Sequence, residues 1–311
     1  MRQTTWQEVL SIILKSETNK AAGIDGVNCD LVRLLVEDSE KEQEPTPLLK
    51  IIVTLINAAL ENGSTPVSWR RAIISMVPKR KEDGSLTSLV GEMRPISVLQ
   101  EFGKISSKLL SVRMGQIILE NPQILNKAQR AFLRDGSTSQ CITTALNILE
   151  DFHRKRKATK SRLFLLAYDQ VKAYDSVQAY TIRASLERFN LPEKFISYVL
   201  SNLEDATSCF KTFYGPTKEF EVVTSVRQGD PLSPLIYICV TDALLEGLHF
   251  NPLYKCSTGY RFSNDPELII AATGYADDTL TYCESWKEQW MMHEWVRDFC
   301  HAHGFQINAN L

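Results

Sequence analysis

Two rhythms of apolar residues alternate along this chain of 311 residues, one spaced at three and four positions and one at two, and together they predict an α+β fold. Thr5-Trp6-Gln7-Glu8 has capping-box spacing, and Val9, Leu10, Ile12 and Ile13 behind it predict a helix. Thr46 and Pro47 predict the start of another, with Leu48, Ile51, Ile52, Leu55, Ile56 and Leu60 as its apolar face and Gly63 as its stop. Further helices are expected over 137–152, from Pro192 onward with Phe195, Ile196, Val199, Leu200 and Leu203 on one face, and over 286–303. Strands are expected over 72–77, 163–168, 268–272 and 279–282, with a last short one at 305–307. The 163–168 run has the look of a buried strand. Residues 210–226 alternate about Gly215-Pro216 and predict a hairpin. A turn at 82–85 would tip a second hairpin carrying Lys79-Arg80-Lys81, and the acidic stretch 37–44 predicts a flexible linker.

Bulk properties narrow the class. At 44% hydrophobic the chain can bury a sizeable core, as one domain of two lobes or as two small domains. No run approaches the roughly 18–20 apolar residues of a membrane span, and no secretory signal is evident. Seven cysteines at 29, 141, 209, 239, 256, 283 and 300 are odd in number and dispersed, which predicts reduced thiols in an intracellular protein, cytoplasmic or nuclear. A net charge of −2 argues against broad electrostatic capture of nucleic acid and shifts attention to local clusters. Lys79 to Lys81 suits phosphate, whereas Arg154 to Lys157 with Lys160, just past a helix, reads more readily as a solvated loop.

The chemistry-bearing residues are acidic and sit at strand ends. Tyr275-Ala276-Asp277-Asp278 lies between two expected strands, where a tight turn would hold both carboxylates out of the packing. An Asp pair at a turn is often ordinary turn chemistry. A second strand, Leu163 to Tyr168, however, runs directly into Asp169. Two such strands side by side would juxtapose Asp169 and Asp277, an arrangement suited to two hard cations roughly 3.5–4 Å apart and to in-line phosphoryl transfer. Between them lies Arg227-Gln228-Gly229-Asp230-Pro231-Leu232-Ser233-Pro234, where Gly229 would permit close backbone approach to a ligand and a helix begins at the apolar run Leu235 to Val240. His293, Cys300, His301 and His303 raise zinc, but adjacent helical positions project in different directions and no second ligand pair has finger-like spacing.

In order, Leu166-Ala-Tyr-Asp169-Gln-Val-Lys-Ala-Tyr174, then Arg227-Gln-Gly-Asp-Pro-Leu-Ser-Pro234, then Tyr275-Ala-Asp-Asp278 resemble the palm motifs of reverse transcriptases, most closely those of non-LTR (LINE-type) retrotransposons. The likeness continues through Lys20-Ala-Ala-Gly23-Ile-Asp25-Gly26, Trp69-Arg-Arg-Ala with Val77-Pro-Lys79, Arg94-Pro-Ile-Ser97-Val with Lys104, Gln129-Arg-Ala-Phe132-Leu-Arg-Asp-Gly136-Ser-Thr, and Gly304-Phe-Gln-Ile-Asn308. It covers nearly the whole chain.

The resemblance implies a right-hand polymerase, α+β, with fingers and an N-terminal helical region over 1–160 and a palm over 161–311, an antiparallel sheet backed by helices. The family's thumb would follow Leu311. It implies RNA-directed DNA polymerisation with two Mg²⁺ ions, Mn²⁺ serving as a substitute, acting on an RNA template, a DNA primer and dNTPs, with no membrane. Asp169 and Asp277 would be the metal ligands, and Asp278 would complete the acidic set, chiefly through its charge. Tyr174 would exclude a 2′-hydroxyl, Lys79 and Arg94 would take the triphosphate, and Gln228 with Gly229 would line the nucleotide pocket. Arg71 is a weaker candidate for the template, and Asp175 reads as a structural carboxylate. Three other readings stand beside this one: a truncated relic that binds nucleic acid without catalysis, a group II intron maturase, and an RNA-dependent RNA polymerase. The last two fit less well, because Arg227-Gln-Gly-Asp-Pro and Tyr174 depart from their usual residues.

Overall fold

The computed structural model describes residues 2–81, 83–158, 161–223 and 226–308. Its chain gathers into two compact units, Met1–Met114 with Leu186–Ser233 and Gly115–Ser185 with Pro234–Leu311, so that each is discontinuous in sequence. A single cut at 160/161 does not reproduce this division, because residues 186–233 fold with the N-terminal part. Lys160 and Leu311, and one end of the 82–85 turn, lie outside the described residues.

In the first unit the capping box forms as expected: Glu8 N–H donates to the Thr5 hydroxyl while the Glu8 carboxylate accepts from Thr5 N–H, and the helix Trp6–Leu14 follows. The helix Pro47–Asn62 ends at Gly63 in the left-handed region, φ 63°. Its buried face is Leu49, Ile52, Ile56, Ala59 and Leu60. Ile51 and Leu55, expected on that face, are exposed. The helix carries more apolar residues than one stripe can hold, and burying each Ile or Leu stabilises by roughly 1.5–3 kcal/mol, so the best-spaced set decides its orientation. Residues 37–44 are not a plain linker either. Asp38–Glu42 is a short helix anchored by buried Ser39, whose hydroxyl accepts from Thr46 N–H at 2.9 Å.

The sheet of this unit runs in the order Met93–Leu99, Arg71–Pro78, Thr207–Thr212, Gly215–Pro216, with Phe220–Glu221 also on Thr207–Thr212. The first pair is antiparallel and Arg71–Pro78 with Thr207–Thr212 is parallel. Phe213 and Tyr214 make the tip of the 207–216 hairpin, so its turn precedes Gly215 instead of centring on it.

The second unit holds a three-stranded antiparallel sheet in the order Ala272–Tyr275, Asp278–Cys283, Phe164–Tyr168. Phe164–Tyr168 alternates between half-buried and exposed, so it is a one-sided strand and not a fully buried one. Tyr282 and Cys283, with no exposure, seat the central strand, and Tyr282 packs with Ile148 and Tyr260. The helix Ser233–His249 is buried continuously over Leu235 to Val240. The helix Trp286–His303 buries Met291, Met292, Val296, Phe299 and Cys300. Lys155, from the basic run near 154–157, is drawn into this unit by an ion pair with Glu284 at 2.8 Å, while Arg154 pairs with Glu150. No described helix is long and apolar enough to cross a membrane.

Candidate active site

The acidic residues meet because of strand register. Tyr275 pairs with Asp278 across the hairpin, leaving Ala276 and Asp277 as a two-residue turn with Ala276 at φ 58°. On the other side, Thr279 pairs with Tyr168. Carried one residue further, that register sets Asp278 opposite Asp169, with Asp277 next to it in the turn. Asp169 and Asp278 are exposed and Asp277 is half-buried. The Asp278 carboxyl is raised above the ordinary carboxylate range, first by desolvation and then by the negative charges of Asp277 and Asp169. Here is a group of like charges at one sheet end. Among the described residues no three or more His, Cys, Asp or Glu side chains form a preassembled metal cage, the 293–303 histidines and Cys300 included. Mg²⁺ needs no such cage, since it binds through one or two carboxylates and takes its other oxygens from water and phosphate. The mutual repulsion at Asp278 and the oxygen-only donor set therefore fit that ion.

Asp169 is held from the C-terminal side. Asn308 N–H donates to the Asp169 carbonyl at 2.9 Å, and Asn308 Nδ2 donates to Asp169 Oδ2 at 3.3 Å. Val171 N–H donates to the Gln306 carbonyl, which ties residues 306–308 alongside 169–171. Tyr174 belongs to the same unit. Its ring stacks on Tyr237 with centroids 4.7 Å apart and planes 8° apart, and the Tyr237 hydroxyl donates to Gln170 Oε1 at 3.0 Å. Burial, and then the charge of Asp277, raise the Tyr174 hydroxyl well above its usual range, so it stays protonated. Asp175 is also raised by burial.

Lys79, Arg94, Gln228 and Gly229 lie in the first unit. Arg94 pairs across the sheet with Val77, and both are exposed; Lys79, also exposed, lies just past the end of the same strand. Among the described residues neither Lys79 nor Arg94 forms an ion pair. Arg71 does: its guanidinium is engaged by Glu219, which leaves it less free for a template than the sequence suggested. The Gln228 carbonyl accepts from Ser97 N–H at 2.7 Å. Gly229, at φ 119°, lies so close to the Ser97 carbonyl that a Cβ would collide with it. Gly229 thus makes a close approach to the chain's own strand possible. Arg227 is buried and donates to the Arg70 carbonyl, and burial lowers its guanidinium to about 10. Asp230 accepts from Leu232 N–H at 2.8 Å and from Ser107 Oγ at 3.2 Å, with its carboxyl raised by burial.

Gln129, Asn308, Gln170 and Tyr237 brace the site, and sequence reasoning assigned none of them a role there. Gln129 and Asn308 lie within the motifs that carry the family resemblance, which is a usable signal. Tyr237 was hidden in an apolar run and Gln170 beside the more conspicuous Asp169.

A three-stranded antiparallel sheet with carboxylates gathered at one end is the arrangement of the palm of a right-hand polymerase. The chain belongs to the reverse transcriptase (RNA-dependent DNA polymerase) family, whose profile matches residues 77–310. It is 25% identical over 260 residues to the Pol polyprotein of the type-2 retrotransposable element R2DM of Drosophila melanogaster, covering 84% of this chain and 22% of that protein. It is 26% identical over 282 residues to the RNA-directed DNA polymerase from the mobile element jockey of the same organism, covering 90% and 27%. With the Xenopus laevis transposon TX1 149 kDa protein it shares 25% over 262 residues, 84% and 18%. These are relatives from non-LTR retrotransposons, and the chain spans about a quarter or less of their length. Among solved structures, telomerase from Candida albicans, in complex with a fragment of telomeric RNA, matches with a TM-score of 0.55 at 15% identity, covering 84% of this chain and 45% of that one. Apo telomerase from Candida tropicalis, truncated from its C-terminal domain, matches at 0.53 and 16%, covering 77% and 49%. At those identities the likeness is one of fold.

Proposed function

We propose that this chain is the core of an RNA-directed DNA polymerase, extending a DNA primer on an RNA template from dNTPs. The observation that carries the reading is the register that brings Asp169, Asp277 and Asp278 to one end of one antiparallel sheet. Asp169 and Asp277 would hold two Mg²⁺ ions, which supply charge stabilisation to the attacking and leaving oxygens of an in-line displacement. The primer 3′-oxygen forms a bond to the α-phosphorus as the bond to the β,γ-diphosphate breaks, and the proton of the 3′-hydroxyl leaves to solvent. No protein nucleophile is required, because phosphoryl transfer depends on positioning and charge.

The remaining residues orient the substrates. Tyr174, protonated and flat on Tyr237, presents a rigid edge that favours a deoxyribose over a ribose. Arg94 and Lys79 receive triphosphate charge, Arg94 with the option of two parallel bonds. Gln228, whose backbone is fixed by Ser97, offers its side chain to the nucleotide. Seven free cysteines support residence in a reducing, intracellular compartment. The test is primer extension on an RNA template with Mg²⁺ and dNTPs, comparing the wild type with Asp277→Asn. Extension that disappears in the variant supports the reading. A folded wild type that never extends, alone or in its full-length protein, sinks it and leaves a non-catalytic relic.

A further inference from the structure

The Ala276–Asp277 turn is clamped by a side chain from far away in sequence. Gln129 is 2% exposed, and its amide meets both polar groups of the Ala276 backbone: Ala276 N–H donates to Gln129 Oε1 at 3.1 Å, and Gln129 Nε2 donates to the Ala276 carbonyl at 3.4 Å. The same Oε1 also accepts from Arg130 N–H at 3.1 Å and Ala131 N–H at 3.0 Å, which fixes the rotamer of the side chain. Ala276 sits in the left-handed region, where a residue with a Cβ is held only if its surroundings enforce it.

The clamp is itself anchored at three points. Residues 128–130 run parallel to the hairpin strand, with Gly274 N–H donating to the Ala128 carbonyl and Arg130 N–H to the Gly274 carbonyl, both at 2.9 Å. Upstream, Asn126 N–H donates to buried Asp242 at 2.6 Å, Asn126 Nδ2 to Glu246 at 2.8 Å, and the Asn126 amide oxygen accepts from Ala128 N–H at 2.9 Å. Downstream, the loop doubles back so tightly that a Cβ on Gly136 would collide with the Arg130 carbonyl. Rigid support on both sides of Gln129 is more than a turn needs merely to form. It is what a turn needs to keep one side chain aimed.

We infer that Gln129 is a positioning residue for nucleotidyl transfer, its amide fixing the turn so that Asp277 points where the metal is held. The inference rests on Asp277 being a metal ligand. Residues that orient a ligand in this way typically contribute about 10- to 100-fold in metal affinity or activity. Gln129→Met keeps length and volume but removes every hydrogen bond of the amide. Gln129→Glu keeps an acceptor for the three N–H groups, loses the donor to the Ala276 carbonyl and adds a charge beside the turn, so any recovery it gives is by the acceptor alone.

The experiment is single-turnover primer extension by the full-length protein over a Mg²⁺ titration. It is paired with Mn²⁺ binding read by water-proton relaxation, which needs no turnover, and with hydrogen exchange at the Ala276 amide. The expected result for Gln129→Met is a 10- to 100-fold slower step, a raised half-saturating Mg²⁺ concentration, weaker Mn²⁺ binding, faster exchange at Ala276 and an unchanged KM for dNTP. Gln129→Glu should recover most of the loss. Wild-type metal binding and rate in Gln129→Met overturn the inference, as does a loss that tracks the melting temperature alone and is not recovered by Glu. Asp277→Asn separates the two claims: if it still binds Mn²⁺ and extends, the metal-ligand reading fails and takes the clamp with it. If only Gln129→Met behaves as wild type, the clamp alone fails.

Discussion

Tyr174 lies flat on Tyr237, the two rings 4.7 Å apart and within 8° of parallel, and Tyr237 is in turn fixed by its hydroxyl to Gln170. A residue proposed to discriminate by shape must not yield, and this stack would hold it in place. Tyr174→Val should therefore raise ribonucleotide incorporation relative to deoxyribonucleotide, and Tyr237→Leu should do so to a lesser degree with Tyr174 intact. Tyr237→Phe removes only the bond to Gln170, which costs about 1–3 kcal/mol because the Gln170 acceptor is left buried. Competitive incorporation assays and urea unfolding measure the two effects separately.

Asp277→Asn should reduce extension on the order of a thousandfold or more, since removal of a charge-stabilising group of this kind costs about 10²–10³ and a metal ligand costs at least as much. It should not weaken the fold. Asn keeps the volume, and loss of the charge relieves the repulsion that raises Asp278. A melting temperature equal to or above wild type, with activity gone, is the expected pair of results.

The pH dependence of stability follows from the same carboxylates. Asp278 has a folded-state pKa raised above its unfolded value, so the folded protein binds that proton more tightly. Its contribution favours folding below the unfolded value near 3.8 and is lost as pH rises through the folded one. At neutral pH a divalent cation should offset that repulsion. Mg²⁺ is expected to raise the melting temperature at pH 7, to do so less as pH falls through the carboxylate range, and not at all in an Asp169→Asn, Asp277→Asn double variant. Calorimetry with and without Mg²⁺ at several pH values tests this. An equal shift in the double variant would assign the effect elsewhere.

Gly229→Ala should destabilise the first unit by about 1–3 kcal/mol, because its φ of 119° disfavours a Cβ and the added methyl meets the Ser97 carbonyl. Ser97→Ala, which leaves that carbonyl in place, should have little effect. Denaturant midpoints compare them directly.

Much of this was legible in the sequence where the cause is local. The Thr5 capping box, the Gly63 stop, the 286–303 helix and the two acidic strand ends each depend on residues within a few positions of one another. Local patterning could not choose among the apolar positions of Pro47–Asn62, because which of Ile51 and Ile52 is covered depends on what packs there. Nor could it read Gln129 with Ala276, 147 residues apart, or Asn308 with Asp169, 139 apart. Their side chains are ordinary amides until the sheet brings them to their partners. Gly229 illustrates the same limit: a glycine announces a close approach without saying to what, and its contact with the Ser97 carbonyl is set by a strand distant in sequence.

Gly229 is not alone on that strand. A Cβ on Gly23 would come within 2.9 Å of both the Leu99 carbonyl and Gln100, so two widely separated glycines press on neighbouring residues of a single stretch of backbone. Mutational drift in this part of the molecule is therefore bound to be collective. Variants that lose either glycine should need compensating changes around residues 97–100, while the exposed faces of the same strands accept substitution freely. The exposed surface of the sheet should therefore tolerate substitution long before the knot of three segments beneath it does.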